Sequence, residues 1–327
     1  MNKNKKVIEN ENEIEEKTDV NDRKFAQIAE KIISGKIVQD PSIVSLIKYY
    51  KDLQMTEDNL GKSIGSYVNN FEIYSKYLKH ISGIGPILSA NLISMITPID
   101  KFQKPSMLVA YAGLAGQYYD QECENGHKMF SSSPKVKCPI FETDTGEKCD
   151  AKIIKSTMMQ GIMKRKKGYH IMENTKLKTT LYKIATSFEK QSSEKSQYRA
   201  LYDAKKAEYN SRTDMTKGHA RMMVLRYIEK RFLVNLHVVW MGGIGNKVTP
   251  YEATLPNHTI DEIRTDDNTP IPALGSFDTT NSLENWTIHQ LTDSYYDIQK
   301  IRIKVFNNVV AWVKNNPDKI GMEISQN

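Results

Sequence analysis

The sequence contains no uninterrupted apolar run approaching the ~20 residues that cross a bilayer. Its opening lysines lead into glutamate-rich sequence rather than into the apolar stretch of a secretory signal. Both absences point to an intracellular, cytoplasmic chain with no membrane partner. Cysteine is scarce: Cys123, Cys138 and Cys149 are the only three in 327 residues, and all fall in one short stretch. An odd number grouped in this way, in a reducing compartment, argues against a disulfide framework and for metal. What is present is ordinary for a folded protein. Hydrophobic residues make up 39% and charged residues 26%, which excludes a wholly disordered or fibrous chain. The net charge of +7 favours an anionic partner such as nucleic acid.

Patterning divides the chain into four parts. Residues 1–21 are almost entirely polar and read as a solvated, charged tail. Residues 22–77 read as helical and suited to helix pairing. Phe25, Ile28, Ala29, Ile32 and Ile33 recur at three and four up to Gly35, and a second helix opens at Asp40 and Pro41. This second helix is expected to break near Gly61 to Gly65. Residues 78–240 form the central domain, with an irregular Cys/Gly/Pro/Ser-containing insertion over 120–152 and helical patterning from Leu177 to Trp240, interrupted by a polar break at 211–217. Residues 241–327 read as an irregular segment followed by a helix from Leu283 to Val313. The expected fold class is mainly α.

Leu78 to Ala90 carries the clearest motif, a helix-hairpin-helix pattern in which an apolar helix end, the turn Gly83-Ile84-Gly85 and a helix opened by Pro86 follow one another. Two glycines clear the way for a phosphate, and the N–H groups of the following helix supply donors and partial positive charge. Such a hairpin grips nucleic-acid backbone without reading bases. The plainer alternative is that the glycines simply allow a tight turn between helices.

In the insertion, Cys123, His127, Cys138 and Cys149 would complete a tetrahedral Zn2+ shell, and a closed four-ligand site is structural rather than catalytic. The result would be a small zinc-knuckle-like module, although the spacing lacks paired Cys-x-x-Cys elements. Beyond it lies a lysine-rich stretch containing Lys164, Arg165, Lys166, Lys167, Lys176 and Lys178, opposed between 152 and 190 only by Glu173 and Glu189. This is the best electrostatic footprint for a phosphate backbone, weighed against an ordinary solvated basic face.

The run Ile81 to Pro86, then Asp100, Lys101 and Phe102, then Leu108 to Leu114, resembles the opening of the C-terminal domain of insertion-sequence 110/116/902 transposases. Asn174 to Ala185 is similar to that family's turn and following helix, and Lys217 to Trp240 to its closing helix, so the resemblance spans Tyr77 to Trp240. It implies a DNA-binding role in transposition or recombination, association with the nucleoid, and DNA or structured RNA as partner. A second copy of the chain or a full-length transposase is the implied protein partner. Family members also carry an N-terminal resolvase-like nuclease domain binding divalent metal, and a serine that attacks DNA. The roughly eighty residues before the hairpin are too few for that nuclease domain, so Mg2+ enters only with a nuclease partner. At the family's serine this chain has Gln160. Ser156 is the alternative nucleophile, which would make the chain a transposase subunit whose nuclease is supplied by another chain.

Overall fold

A computed structural model describes residues 22–37, 40–142, 146–161, 163–212, 215–242, 263–271 and 282–320. The chain divides into two compact units, one of Met1–Ser63 with Asp293–Asn327 and one of Ile64–Thr292. Among the described residues the protein is mainly helical, with one small sheet. The expectations for residues 1–21 and for most of the irregular segment after Trp240 lie outside the described residues.

The first unit is built from α1 (residues 22–33), most of α2 (Pro41–Val68) and most of α9 (Ser282–Asn315). Gly35 ends α1 with φ +78, a conformation an L side chain rarely adopts. Asp40 caps α2, its Oδ1 accepting the Ser42 N–H at 2.8 Å. Apolar residues at helical spacing meet in one core: Ala29, Ile32 and Ile33 from α1, Ile43, Ile47, Tyr50 and Leu53 from α2, and Val305, Val309 and Val313 from α9. Buried Glu57 is neutralised there by Arg302, which also donates to the Tyr50 hydroxyl at 2.7 Å. The expected break at Gly61 to Gly65 does not occur. Ile64 and Val68 are fully buried, and that burial offsets the ~1 kcal/mol that each interior glycine costs a helix.

In the second unit, α3 (Glu72–Lys76) and a single 3-10 turn (Leu78–His80) lead to α4 (Pro86–Ile96) and α5 (Pro105–Tyr111). α6 (Thr175–Glu189), α7 (Gln197–Asn210) and α8 (Lys217–Trp240) follow the sheet. Each of these three is opened by a side-chain cap, Asn174, Ser196 and Thr216 respectively. The unbroken pattern expected from Leu177 to residue 211 contains an additional stop at 190–196. α8 is the central helix, packed by α5, α6 and α7. Phe188 stacks on Tyr198 with ring centroids 4.5 Å apart, and Phe232 meets both edge-on at 5.6 Å. The buried Tyr198 hydroxyl accepts from Asn235 at 3.1 Å and lies 3.3 Å from that of Tyr77.

The insertion is ordered as strand only up to Ser131, and the described residues of 132–152 add isolated bridges but no further strand. Strands β1 (Gln117–Cys123), β2 (Lys128–Ser131), β3 (Ile153–Gln160) and β4 (Tyr169–Ile171) form a sheet in the order β3-β1-β2-β4. β1 pairs antiparallel with β2 and β3, whereas β2 and β4 run parallel. β3 is an edge strand exposed along nearly its whole length, so its residues carry no alternation to read. The short core beneath consists of Cys123, Met129, Cys138 and Ile140.

Candidate metal centre and nucleic-acid interface

β1 ends at Cys123, and a tight turn with Gly126 at φ +79 brings His127 back so that its carbonyl accepts the Cys123 N–H at 3.1 Å. The second limb is a narrow ribbon. The Cys138 N–H donates to Ala151 O at 2.8 Å, and the Cys149 N–H donates to Ile140 O at 2.9 Å. These bonds converge Cys123, His127, Cys138 and Cys149, whose ligand atoms all lie within 4.8 Å of one another. A tetrahedral shell with bonds of ~2.0–2.3 Å holds its ligand atoms ~3.3–3.8 Å apart, so a small inward adjustment closes it. Cys123 and Cys138 are fully buried and the other two half-buried. Burial pushes the Cys138 thiol up to about 12, while a backbone N–H bond from Ala151 holds Cys149 below its ordinary value. The Asn125 amide donates to the Cys149 sulfur at 3.3 Å. Four soft donors in a closed cage can hold one metal ion and leave no position for substrate.

The two glycines of the turn stand in different surroundings. Gly83 has φ +95, and a Cβ there would lie 3.2 Å from Ser187 Oγ and from Gln191, so it allows the turn to press onto the end of α6. The Ser187 hydroxyl donates to Gly83 O at 2.7 Å. Ile84 is buried, and Gly85 stands exposed at the N-cap of α4 with open space around it.

Sequence reasoning missed a second element at this turn. Residues 263–271 lie across it: Asp266 accepts the Ser82 N–H at 2.7 Å and the Gln197 N–H at 2.9 Å, and returns its own N–H to His80 O at 3.0 Å. Asp267 pairs with His80 at 2.7 Å, a bond that holds its carboxyl well below the usual range. An acidic segment therefore already takes one backbone donor of the turn. No signal local to Asp266 foretells a partner 184 residues away.

Lys164, Arg165, Lys166 and Lys167 form the exposed connection between β3 and β4. Lys166 lies 4.3 Å above the Tyr169 ring, which stacks on Phe130 at 4.5 Å. Lys176 is exposed and Lys178 half-buried in the first turns of α6. At 1.5 Å per residue, Lys178 and Ser187 are separated by about 13 Å along that helix, so these lysines and the glycine turn sit at its opposite ends. Ser156 is central and exposed on β3, where its Oγ accepts from the Gln121 amide at 3.2 Å. Gln160 pairs with Gln117 at the far end of that strand. His237 is buried, with Nε2 2.6 Å from Phe102 O.

The segment that carries the glycine turn, α4, α5 and the start of β1 has a known counterpart. Residues 75–120 match the transposase IS116/IS110/IS902 family. The transposase-type segment thus includes Gly83, Gly85 and Gly113, and stops short of the cysteine cluster. No curated protein and no solved structure matches the chain. No described helix is long and apolar enough to cross a membrane.

Proposed function

We propose that this chain is a nucleic-acid-binding protein of a transposition system, a helix-hairpin-helix-type domain carrying a structural zinc module. The match over residues 75–120 carries the reading. Two further features support it: an open α4 N-terminus at Gly85, and the lysine-rich strip from Lys164 to Lys178, part of it cradled by Tyr169. The reading assigns backbone contact to Gly83, Ile84, Gly85, Lys164, Arg165, Lys166, Lys167, Lys176 and Lys178. DNA is the partner, and contact with phosphates supplies affinity rather than sequence choice. Three thiolates and one imidazole favour Zn2+ over harder ions, and its role at Cys123, His127, Cys138 and Cys149 is to order the sheet that presents the lysines. Strand transfer by Ser156 would require a base to take its proton. The neighbour it has is the Gln121 amide, a donor, so the reading rests on binding rather than catalysis.

The test is a salt titration of the purified full chain on labelled duplex DNA, with metal content measured on the same sample. The expected result is one zinc per chain and an affinity that falls steeply with salt, log K against log salt having a slope of about −0.9 per phosphate neutralised. Absence of binding in dilute buffer would overturn the proposal.

A further inference from the structure

Three cations gather around a buried carboxylate where α6 packs on α8. Arg226, Glu229 and Lys230 stand at i, i+3 and i+4 of α8 and share one face of it. Lys178 of α6 comes within electrostatic range of both Arg226 and Glu229. Gly113, at the end of α5 with φ +68, leaves room for this approach: a Cβ there would lie 3.7 Å from Lys178 Cδ and 3.3 Å from Glu173 Cβ. Glu229 is 6% exposed, whereas Lys178, Arg226 and Lys230 are half-buried. Among the described residues no ion pair or hydrogen bond ties the side chains of these three cations to an acid, in contrast to Arg199, Arg221 and Arg302, each of which grips a carboxylate.

We propose that Lys178, Arg226 and Lys230 form a seat for one phosphodiester of a nucleic-acid backbone, and that Glu229 on its floor limits how tightly the seat holds. The proposal rests on the nucleic-acid reading above and adds Arg226, Glu229 and Lys230 to it. Partly desolvating three like charges without pairing them is costly, and a bound anion recovers that cost. A phosphodiester suits the set: the Arg226 fork can span its two free oxygens while the lysines contribute point charges. Burial lowers the proton affinity of all three cations and the Arg226 charge lowers that of both lysines further, against the opposing pull of Glu229 on all three and of Glu173 on Lys178. Burial raises Glu229 to about 7 against the pull of Arg226, Lys178 and Lys230, the charged groups that act on it; none from α5 or α7 does. Near neutral pH this carboxylate is partly ionised and competes with a phosphate, so binding should weaken as pH rises from 6 to 8.

The experiment measures the affinity of the full chain for a labelled duplex against salt and pH. Its variants are Arg226→Gln, Arg226→Lys, Lys230→Gln, Glu229→Gln and, as control, Lys48→Gln on exposed α2 surface, each checked for folding by circular dichroism and thermal melting. Arg226→Gln and Lys230→Gln should each weaken binding about three- to tenfold, alike on all sequences, and flatten the salt slope by about 1. Arg226→Lys should keep the slope. Glu229→Gln should tighten binding and remove the fall between pH 6 and 8, and Lys48→Gln should change nothing. Lys230→Gln decides the matter if Arg226→Gln fails to fold. Wild-type affinity and slope in both charge-removing variants would overturn the proposal, as would inorganic phosphate binding to the seat as tightly as the duplex. A wild-type chain that binds no duplex would instead overturn the broader nucleic-acid reading.

Discussion

The sheet around the cysteine cluster and the helices around α8 belong to one compact unit but are held together by different forces. The helical part buries large residues against one another: Phe188, Tyr198, Tyr202, Leu225, Phe232 and Leu236 all have 1% exposure or less. Under the sheet, the core is two cysteines, one methionine and one isoleucine, with Cys149, Ala151, Ile153 and Met172 half-buried at its rim. A side chain fully buried contributes roughly 1.5–3 kcal/mol, so the helices have many such contributions and the sheet very few. Where apolar area is this small, a metal held by the four converged ligand atoms would supply order that burial supplies elsewhere.

That difference can be broken most forcefully at Cys138. Cys138→Ser, or a strong chelator, should release the metal and leave residues 124–168 open to proteolysis while α8 stays protected from hydrogen exchange. The loss is on the scale of the ~10 kcal/mol that structural zinc contributes. Unchanged protection without metal would mean that the sheet stands on its own packing. The converse substitution is Phe232→Ala, which should cost about 3–5 kcal/mol in denaturant unfolding. It should leave one metal per folded chain.

A subtler probe lies in the helical part. The folded value for Glu229 is raised to about 7 by burial, from an ordinary 4.5, so the stability tied to its neutral form is intact at low pH and is lost as pH rises through 7. Glu229→Gln should therefore stabilise the protein by about 3 kcal/mol at pH 8 and by nothing measurable near pH 4. Equal melting temperatures at pH 8 would show that the carboxylate is paired in solution. The smallest effect belongs to the sheet's exposed edge. Ser156→Ala should shift stability by no more than about 0.5 kcal/mol and leave DNA affinity unchanged, which a denaturant melt and a binding curve will check. A large loss of either would assign that hydroxyl a role the Gln121 contact does not explain.

Legibility in the sequence followed the range of the interaction. A helix start was readable at Asp40, where a cap and an apolar stripe coincide, but not at Ser196, which opens α7 inside a longer helical pattern. Gly35 also marked a stop correctly, because its φ is a local requirement. Gly61 and Gly65 misled for the complementary reason: burial of Ile64 and Val68 outweighs the local cost. The four metal-ligand candidates stood out by grouping alone, and the structure brings them together. The sheet beside them was invisible, since β3 shows no alternation and β2 meets β4 in parallel only after an intervening loop and strand. Asp266 and Glu229 were invisible too, one defined by a distant backbone N–H and the other by loss of water.

By itself, then, the sequence determined the helical character, the transposase-type segment and the identities of the cluster residues. These are properties of composition, spacing and neighbouring residues. Only the tertiary structure decided that Ser82 is engaged by an aspartate, that the lysines of α6 and the glycine turn occupy opposite ends of one helix, and that Glu229 sits desolvated among three cations. Each of those depends on which distant groups come within a few ångströms and on how much water they exclude, and no stretch of sequence carries that information alone.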